Sequence, residues 1–401
     1  MVTTTLNYTD SRYRTKPGEG YDGVVRVSTG TSYATGVLLH DGRAILTAAH
    51  LFDDPGSRVS VLFETSTGSR RLYSSQVLLH PNHDPENTNH DLAIVWLSTP
   101  APLDAPRYDL YRLNDEVGQA FTLVGYGRTG TGSTGSTSEP TTSPIRLKAS
   151  NRFDAGIETL KTQLGSIIAW SPAPGTQLVA DFDDGGFHRD ALGRLIDRSD
   201  TGLGADEGFI AEGDSGSPAF IQGRIAGIAS YTTSLSRGSA VPDIDSETNS
   251  SFGEIAAWQR LSQYQQWIDQ SLRQGYLDAP RTPEEVRKSV PEGNGGTTLA
   301  YFMLQFTGVR SDPNQILSVD FATRDGTARA GSDYIATSGA LKLYPGENQA
   351  VIPVEIIGDT TPEPNEYFYL DVFNPVGGSF GPGVVQLTAV RTILDDDGGF
   401  G

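Results

Sequence analysis

Apolar residues in this chain come in short runs, and Gly, Pro, Asn or Asp separates almost every run from the next. Val25–Val27, Thr35–Leu39, Ala44–Ala49, Val59–Phe63, Leu92–Leu97 and Ala120–Val124 are each long enough for a strand and too short for a helix. With 46 Gly and 23 Pro in 401 residues, the chain has turn formers enough to reverse after every run. The pattern predicts a mostly β protein. One helix is expected at Ala256–Leu272, where Trp258, Leu261, Tyr264, Ile268 and Leu272 fall near helical spacing. Gly127–Pro140 reads as a flexible surface loop of low complexity, and Asp181–Glu207 as a second long irregular segment.

The length calls for more than one domain. Gln274–Val290 is polar and contains Pro, and β patterning resumes after it at Leu299–Phe306, Ile316–Phe321, Leu341–Tyr344, Ala350–Ile357, Tyr367–Val372 and Val384–Leu394. The expected division is a first domain at 1–275, a linker at 276–283 and a smaller all-β domain at 284–401. The absence of Cys excludes disulfides, thiol catalysis and Cys-based metal sites together. A net charge of −19 argues against a nucleic-acid partner, which would need a basic patch. No run approaches the roughly 18 apolar residues of a membrane span.

Three motifs carry chemistry in the first domain. Thr47-Ala48-Ala49-His50 ends an apolar strand in a His, His90-Asp91-Leu92-Ala93-Ile94 opens a buried strand with an Asp, and Gly213-Asp214-Ser215-Gly216-Ser217-Pro218 sets a Ser in a Gly-rich turn. A Ser hydroxyl becomes a nucleophile only when a base takes its proton, and His has the pKa for that task. A buried carboxylate then fixes the imidazole's tautomer and orientation. Glycines beside the Ser let backbone N–H groups converge on one point, as an oxyanion requires.

These motifs, in the order His, Asp, Ser, resemble the chymotrypsin/trypsin family, with Gly125-Tyr126-Gly127 and Trp267 as further points of likeness. The resemblance covers roughly residues 20–275. It implies a two-barrel chymotrypsin-like fold with a C-terminal helix, and peptide-bond hydrolysis by His50, Asp91 and Ser215. It also implies an oxyanion hole from the N–H groups of Gly213 and Ser215, and a hydrogen bond from Ser230 to the triad Asp. Phe209, six residues before the nucleophile, stands where the family has the floor of its primary pocket. An Asp there would bind Lys or Arg by charge; Phe favours small or medium apolar side chains. Glu207 and Glu212 are near enough to restore some basic preference. The family's Ile-Val-Gly-Gly start and its cystines have no counterpart, and Ser217 replaces the second Gly of its common GDSGG.

Acidic loops suggest a cation. Asp181-Phe182-Asp183-Asp184-Gly185-Gly186 offers Asp181 and Asp183 to Ca²⁺, the other reading being a solvated acidic loop. His80, His83 and His90 with Asp84 read as a solvated loop rather than a metal cluster. In the second domain, Asp325-Gly326-Thr327-Ala328, Ala330-Gly331-Ser332-Asp333-Tyr334, Pro345-Gly346-Glu347 and Ile393-Leu394-Asp395-Asp396-Asp397 together resemble a Calx-β domain. That resemblance implies an immunoglobulin-like β-sandwich, with one or two Ca²⁺ sites among Asp325, Asp359, Glu363, Glu366, Asp395, Asp396 and Asp397. The alternative is a structural module with a solvated acidic end. The reading is a serine endopeptidase acting on proteins or peptides, exported and extracellular, without nucleic-acid partner or membrane span. Its rivals are a catalytically silent protease-fold scaffold used for binding or adhesion, a calcium-gated protease, and an esterase using the same residues.

Overall fold

The computed structural model describes residues 2–30, 32–52, 58–137 and 144–397. The chain divides into two compact units, one of residues 1–39 and 43–265, the other of 40–42 and 266–401.

In the first unit, six strands close into a barrel in the order Val24–Thr29, Ser32–Leu38, Ala44–Thr47, Ala93–Leu97, Gly68–Leu79, Val59–Thr65. Ala44–Thr47 and Ala93–Leu97 are buried along their whole length, which is why they read as continuous apolar runs rather than alternating ones. Val25, Val27, Leu38, Ile45, Val61, Phe63 and Val95 fill the interior.

A second, seven-stranded antiparallel sheet has the order Leu147–Arg152, Ala120–Gly125, Pro218–Ile221, Arg224–Thr233, Ile255–Arg260, Gln177–Asp181, Ala155–Gly156. Its two edge strands are consecutive in the chain, so the sheet curls round until its edges approach. Trp258, fully buried, packs edge-on to Phe121 and Phe153, whose rings stack at 4.1 Å. This is the two-barrel chymotrypsin-like arrangement, and the helix Leu261–Gly275 follows the second barrel.

Two expectations need correction. Ile255–Arg260 is a strand, buried on both faces between Arg224–Thr233 and Gln177–Asp181, and the helix begins only at Leu261. The helical spacing was real from Leu261 onward, but Trp258 belongs to the strand. The segment expected as a flexible loop contains paired strands, Gly130–Thr131 and Gly135–Ser136; the former also pairs with Thr3–Thr4, which pairs in turn with Gly208–Phe209. Residues 138–140 of that expected loop lie outside the described residues.

The second unit holds a β-sandwich. A five-stranded sheet, Ser289–Pro291, Gln386–Leu394, Glu366–Val376, Leu317–Asp325, Ser338–Leu343, faces the pair Thr297–Gln305 and Gln349–Ile357 across one core. Along Leu317–Phe321 buried and half-buried residues alternate, the period of a strand with one face inward. Tyr334 stacks on Phe368 at 4.5 Å in that core, and its hydroxyl donates to Asp325 Oδ1 at 2.6 Å.

Candidate active site

The Ser215 turn is held by the first barrel as much as by its own. Thr35 N–H donates to Ser215 O at 3.0 Å, Thr35 Oγ1 donates to Gly213 O at 2.9 Å, and Tyr126 N–H donates back to Thr35 Oγ1 at 3.0 Å. Nothing in the local sequence marks Thr35 for this work. Asp214 is fully buried and accepts from Gly127 N–H at 2.8 Å and Ala211 N–H at 2.9 Å, and burial pushes its carboxyl up to about 6. The turn leaves no room for side chains. A Cβ on Gly125 would lie 2.1 Å from Asp214 Oδ1, and one on Gly216, at φ +82°, would lie 2.2 Å from Thr35 O.

The structure brings His50, Asp91 and Ser215 together. His50 lies in the short 3₁₀ turn Ala49–Phe52 that follows Ala44–Thr47, and its backbone N–H donates to Asp91 Oδ1 at 2.8 Å. Its ring bridges the other two residues, with Nδ1 2.7 Å from Asp91 Oδ2 and Nε2 2.9 Å from Ser215 Oγ. Ser230 Oγ donates to the same Asp91 oxygen at 2.5 Å from a bulge in Arg224–Thr233. Asp91 is 2% exposed. Burial disfavours its charge, but the hydrogen bonds from His50 and Ser230 and the attraction of the imidazole outweigh that and hold it below the usual carboxylate range. No described residue accepts the N–H of Gly213 or of Ser215.

The residues expected around the pocket behave differently from one another. Ser230 is engaged with Asp91 rather than turned to a substrate. Phe209 has no exposed surface; its ring lies parallel to Phe182 at 5.4 Å within the core. Glu212 is exposed and its carboxylate is taken by Arg128 at 2.8 Å. Glu207 is buried, with both oxygens accepting backbone N–H groups, from Asp183 and Leu203.

His80 and His90 stack at 4.9 Å against Tyr264, and His90 Nδ1 lies 3.1 Å from the Tyr264 hydroxyl. Burial, with repulsion from His90 and His83, lowers His80 from 6.5 to about 4. The fold therefore favours the neutral ring. Its contribution is complete above pH 6.5 and is lost as the pH falls toward 4, with a size of about 1 kcal/mol after discounting for solvent screening. Urea titrations from pH 7 to pH 4.5 are expected to show this slope in the wild type and a shallower one in His80→Gln.

Acidic side chains gather in three places among the described residues: Asp181, Asp183 and Asp190 in the first unit, and Glu292, Asp395 and Asp397, and Asp333, Glu363 and Glu366, in the sandwich. Of the expected sandwich ligands, Glu363, Glu366, Asp395 and Asp397 fall in these groups. Asp325 does not: its Oδ1 braces the turn by accepting from Ala330 N–H and Tyr334. Asp359 Oδ1 accepts from Thr361 N–H and Asp396 Oδ1 from Gly293 N–H, so they too serve loop geometry. Glu292, Asp333 and Asp190 join the groups without having been singled out as ligands. Asp190 precedes an apolar run in the manner of a helix N-cap, and it caps Ala191–Ile196. In the sandwich, burial and the neighbouring acids raise Glu292, Glu366 and Asp397 above their ordinary range. In the first unit, burial and their mutual repulsion do the same to Asp154, Asp181 and Asp183.

Comparison with known proteins finds a different family on each part of the chain. The Trypsin family model matches residues 11–159 and the Calx-beta domain model residues 303–397. The sodium/calcium exchanger Calx of Drosophila melanogaster is 39% identical over 88 residues, 22% of this chain and 9% of that protein. Human sodium/calcium exchanger 2 is 37% identical over 108 residues, 24% of this chain and 12% of that protein. The chain thus spans only about a tenth of the length of these relatives. Among solved structures, mouse neuropsin, a serine protease, aligns at 18% identity and a TM-score of 0.47 over 65% of this chain and 98% of its own. None of the helices described is long and apolar enough to cross a membrane. The chain joins a trypsin-like domain of protease fold to a Calx-β domain.

Proposed function

We propose that the protease-fold unit is an active serine endopeptidase, with Ser215 as nucleophile, His50 as general acid and base, and Asp91 as the carboxylate that orients it. The observation that carries this reading is the His50 bridge, 2.9 Å to Ser215 Oγ and 2.7 Å to Asp91 Oδ2. With Nδ1 protonated and donating to Asp91, Nε2 is left as the base. It takes the Ser215 proton as Oγ attacks the peptide carbonyl carbon, and the oxyanion that forms accepts from the N–H groups of Gly213 and Ser215. His50 then gives the proton to the leaving amine as the C–N bond breaks, leaving an acyl-enzyme. Water attacks that ester by the same exchange, releases the acid and restores Ser215 Oγ–H.

For the residue before the scissile bond, an apolar side chain is the better fit. Phe209, expected at the pocket floor, is instead buried in the core and so brings no charge to the site, and the exposed Glu212 is paired with Arg128. A fluorophosphonate probe, followed by a peptide library, tests both parts. Labelling at Ser215 with cleavage after apolar residues is expected. Cleavage confined to Lys and Arg would overturn the specificity. Absence of labelling in folded protein would favour the silent-scaffold reading.

A second reading concerns the sandwich, where the donor set fits a hard cation. Glu292, Asp395 and Asp397 each bring a carboxylate oxygen within 4.8 Å of the others, and Asp397 Oδ2 is buried without a hydrogen-bond partner. Glu292, Asp395 and Asp397 would hold Ca²⁺, with Asp333, Glu363 and Glu366 forming a neighbouring group; the ion would cross-link loops from several strands. Asp397→Asn is expected to weaken Ca²⁺ binding by the sandwich at least about tenfold, since even outer-sphere changes at metal sites cost that much. Calorimetric titration of the chelator-treated protein checks it.

A further inference from the structure

The acids of the first unit call for a separate account. Asp181, Asp183 and Asp190 are 1%, 3% and 0% exposed, and one carboxylate oxygen from each lies within 4.8 Å of the other two. Oxygens sharing one Ca²⁺ shell, each 2.3–2.6 Å from the ion, lie up to about 5 Å apart. Two of the three side chains are fixed before any ligand arrives. Asp181 Oδ2 accepts from Leu192 N–H at 2.7 Å, and Asp190 accepts from Gly193 N–H and Ser199 Oγ, each at 2.6 Å.

The third is not satisfied: Asp183 Oδ1 is buried and receives no hydrogen bond. Nor does a protein cation answer the cluster. None of the three acids forms an ion pair among the described residues, and Arg152, Arg189 and Arg194 are engaged with other groups. Arg152 pairs with Asp200 at 2.6 Å, Arg189 donates to the carbonyls of Pro242 and Asp243, and Arg194 to those of His188 and Ser239. Three carboxylates gathered without a protein counter-ion in so dry a space carry a desolvation cost that a bound cation would offset.

We propose that Asp181, Asp183 and Asp190 bind a Ca²⁺ ion in the protease unit, independent of any ion in the sandwich. A buried set of carboxylate oxygens suits Ca²⁺ better than Mg²⁺, which gives up its water reluctantly. The ion ties the end of Gln177–Asp181 to the start of the helix Ala191–Ile196. It also stiffens the support beneath Phe209, because Asp183 N–H donates to Glu207 Oε1 at 2.8 Å and the ring of the intervening Phe182 lies flat against Phe209. Chelation should therefore loosen residues 184–189 and the layer behind Phe209.

The test uses the full chain with its sandwich acids silenced (Glu292→Gln, Glu363→Gln, Glu366→Gln, Asp397→Asn). After EGTA treatment and equilibrium dialysis against ⁴⁵Ca²⁺, this protein is expected to retain one ion per chain, and addition of Asp183→Asn to remove it. The retained ion should raise the melting temperature and protect residues 184–189 from added protease, and both effects should vanish with Asp183→Asn. A silenced chain that binds no Ca²⁺, or one that keeps its ion after Asp183→Asn, would overturn the proposal. If Asp183→Asn does not fold, the count on the silenced chain decides alone. None of these readouts depends on Ser215, so a failure here is separable from a failure of the hydrolase reading.

Discussion

Ser215→Ala should lower kcat for peptide hydrolysis by about 10⁶-fold while leaving the protein folded. The size follows from the way the three side chains act as one device. Without Oγ there is no group to accept the acyl chain, and the His50 base, 2.9 Å away, has no proton to take. Asp91→Asn should cost less, about 10⁴-fold, because it disturbs the tautomer and leaves the nucleophile in place. A peptide anilide assayed by initial rates would measure both. Hydrolysis by Ser215→Ala at the wild-type rate would move the nucleophile to another residue.

The second large effect falls on stability. Arg146 is 5% exposed and Asp22 1%, and their side chains are directly paired. The guanidinium also donates to Thr15 Oγ1 and to the carbonyls of Val24 and Glu64, so one side chain joins the N-terminal segment, two strands of the first barrel and the approach to Leu147–Arg152. Arg146→Ala leaves the Asp22 carboxylate buried without its cation and three other acceptors without their donor. Removal of one partner of such a pair costs about 3–5 kcal/mol. The urea midpoint is expected to fall accordingly. The Asp22→Ala, Arg146→Ala double variant should be more stable than the sum of the single losses predicts, because no orphaned charge remains. Simple additivity would mean that the pair contributes through packing alone.

The features legible in the sequence are those encoded within a few residues. The strands of both barrels and of the sandwich stand out as short apolar runs with turn formers between them, and the nucleophile turn as glycines around a Ser. The glycines at 125 and 216 now have a physical cause, since the Asp214 carboxylate and the Thr35 carbonyl come within contact distance of any added carbon. What stayed hidden depends on pairing across long separations. Ile255–Arg260 is a strand because two partners cover it, although its composition also suits a helix. Thr35 braces the Ser215 turn from the other barrel, and no pattern near Thr35 announces that. The acidic groups were harder still. Asp325 and Asp396 carry the same charge as Glu292 and Asp190, and all four accept backbone N–H groups, but only the last two are brought by the fold into a group with other carboxylates.

The small sheet that contains Thr3 and Thr4 has a consequence in time. Thr3 is paired with Phe209, a partner 206 residues further along the chain. At ordinary rates of synthesis, about 5–20 residues per second, that partner leaves the ribosome roughly 10–40 s after Thr3 does. Throughout that interval the strand that will flank Gly208–Phe209 has at most Gly130–Thr131 to pair with, and Ser215 has not yet emerged. The arrangement works as a clock set by chain length: the His50–Asp91 half of the site can be complete well before the half that carries the nucleophile exists.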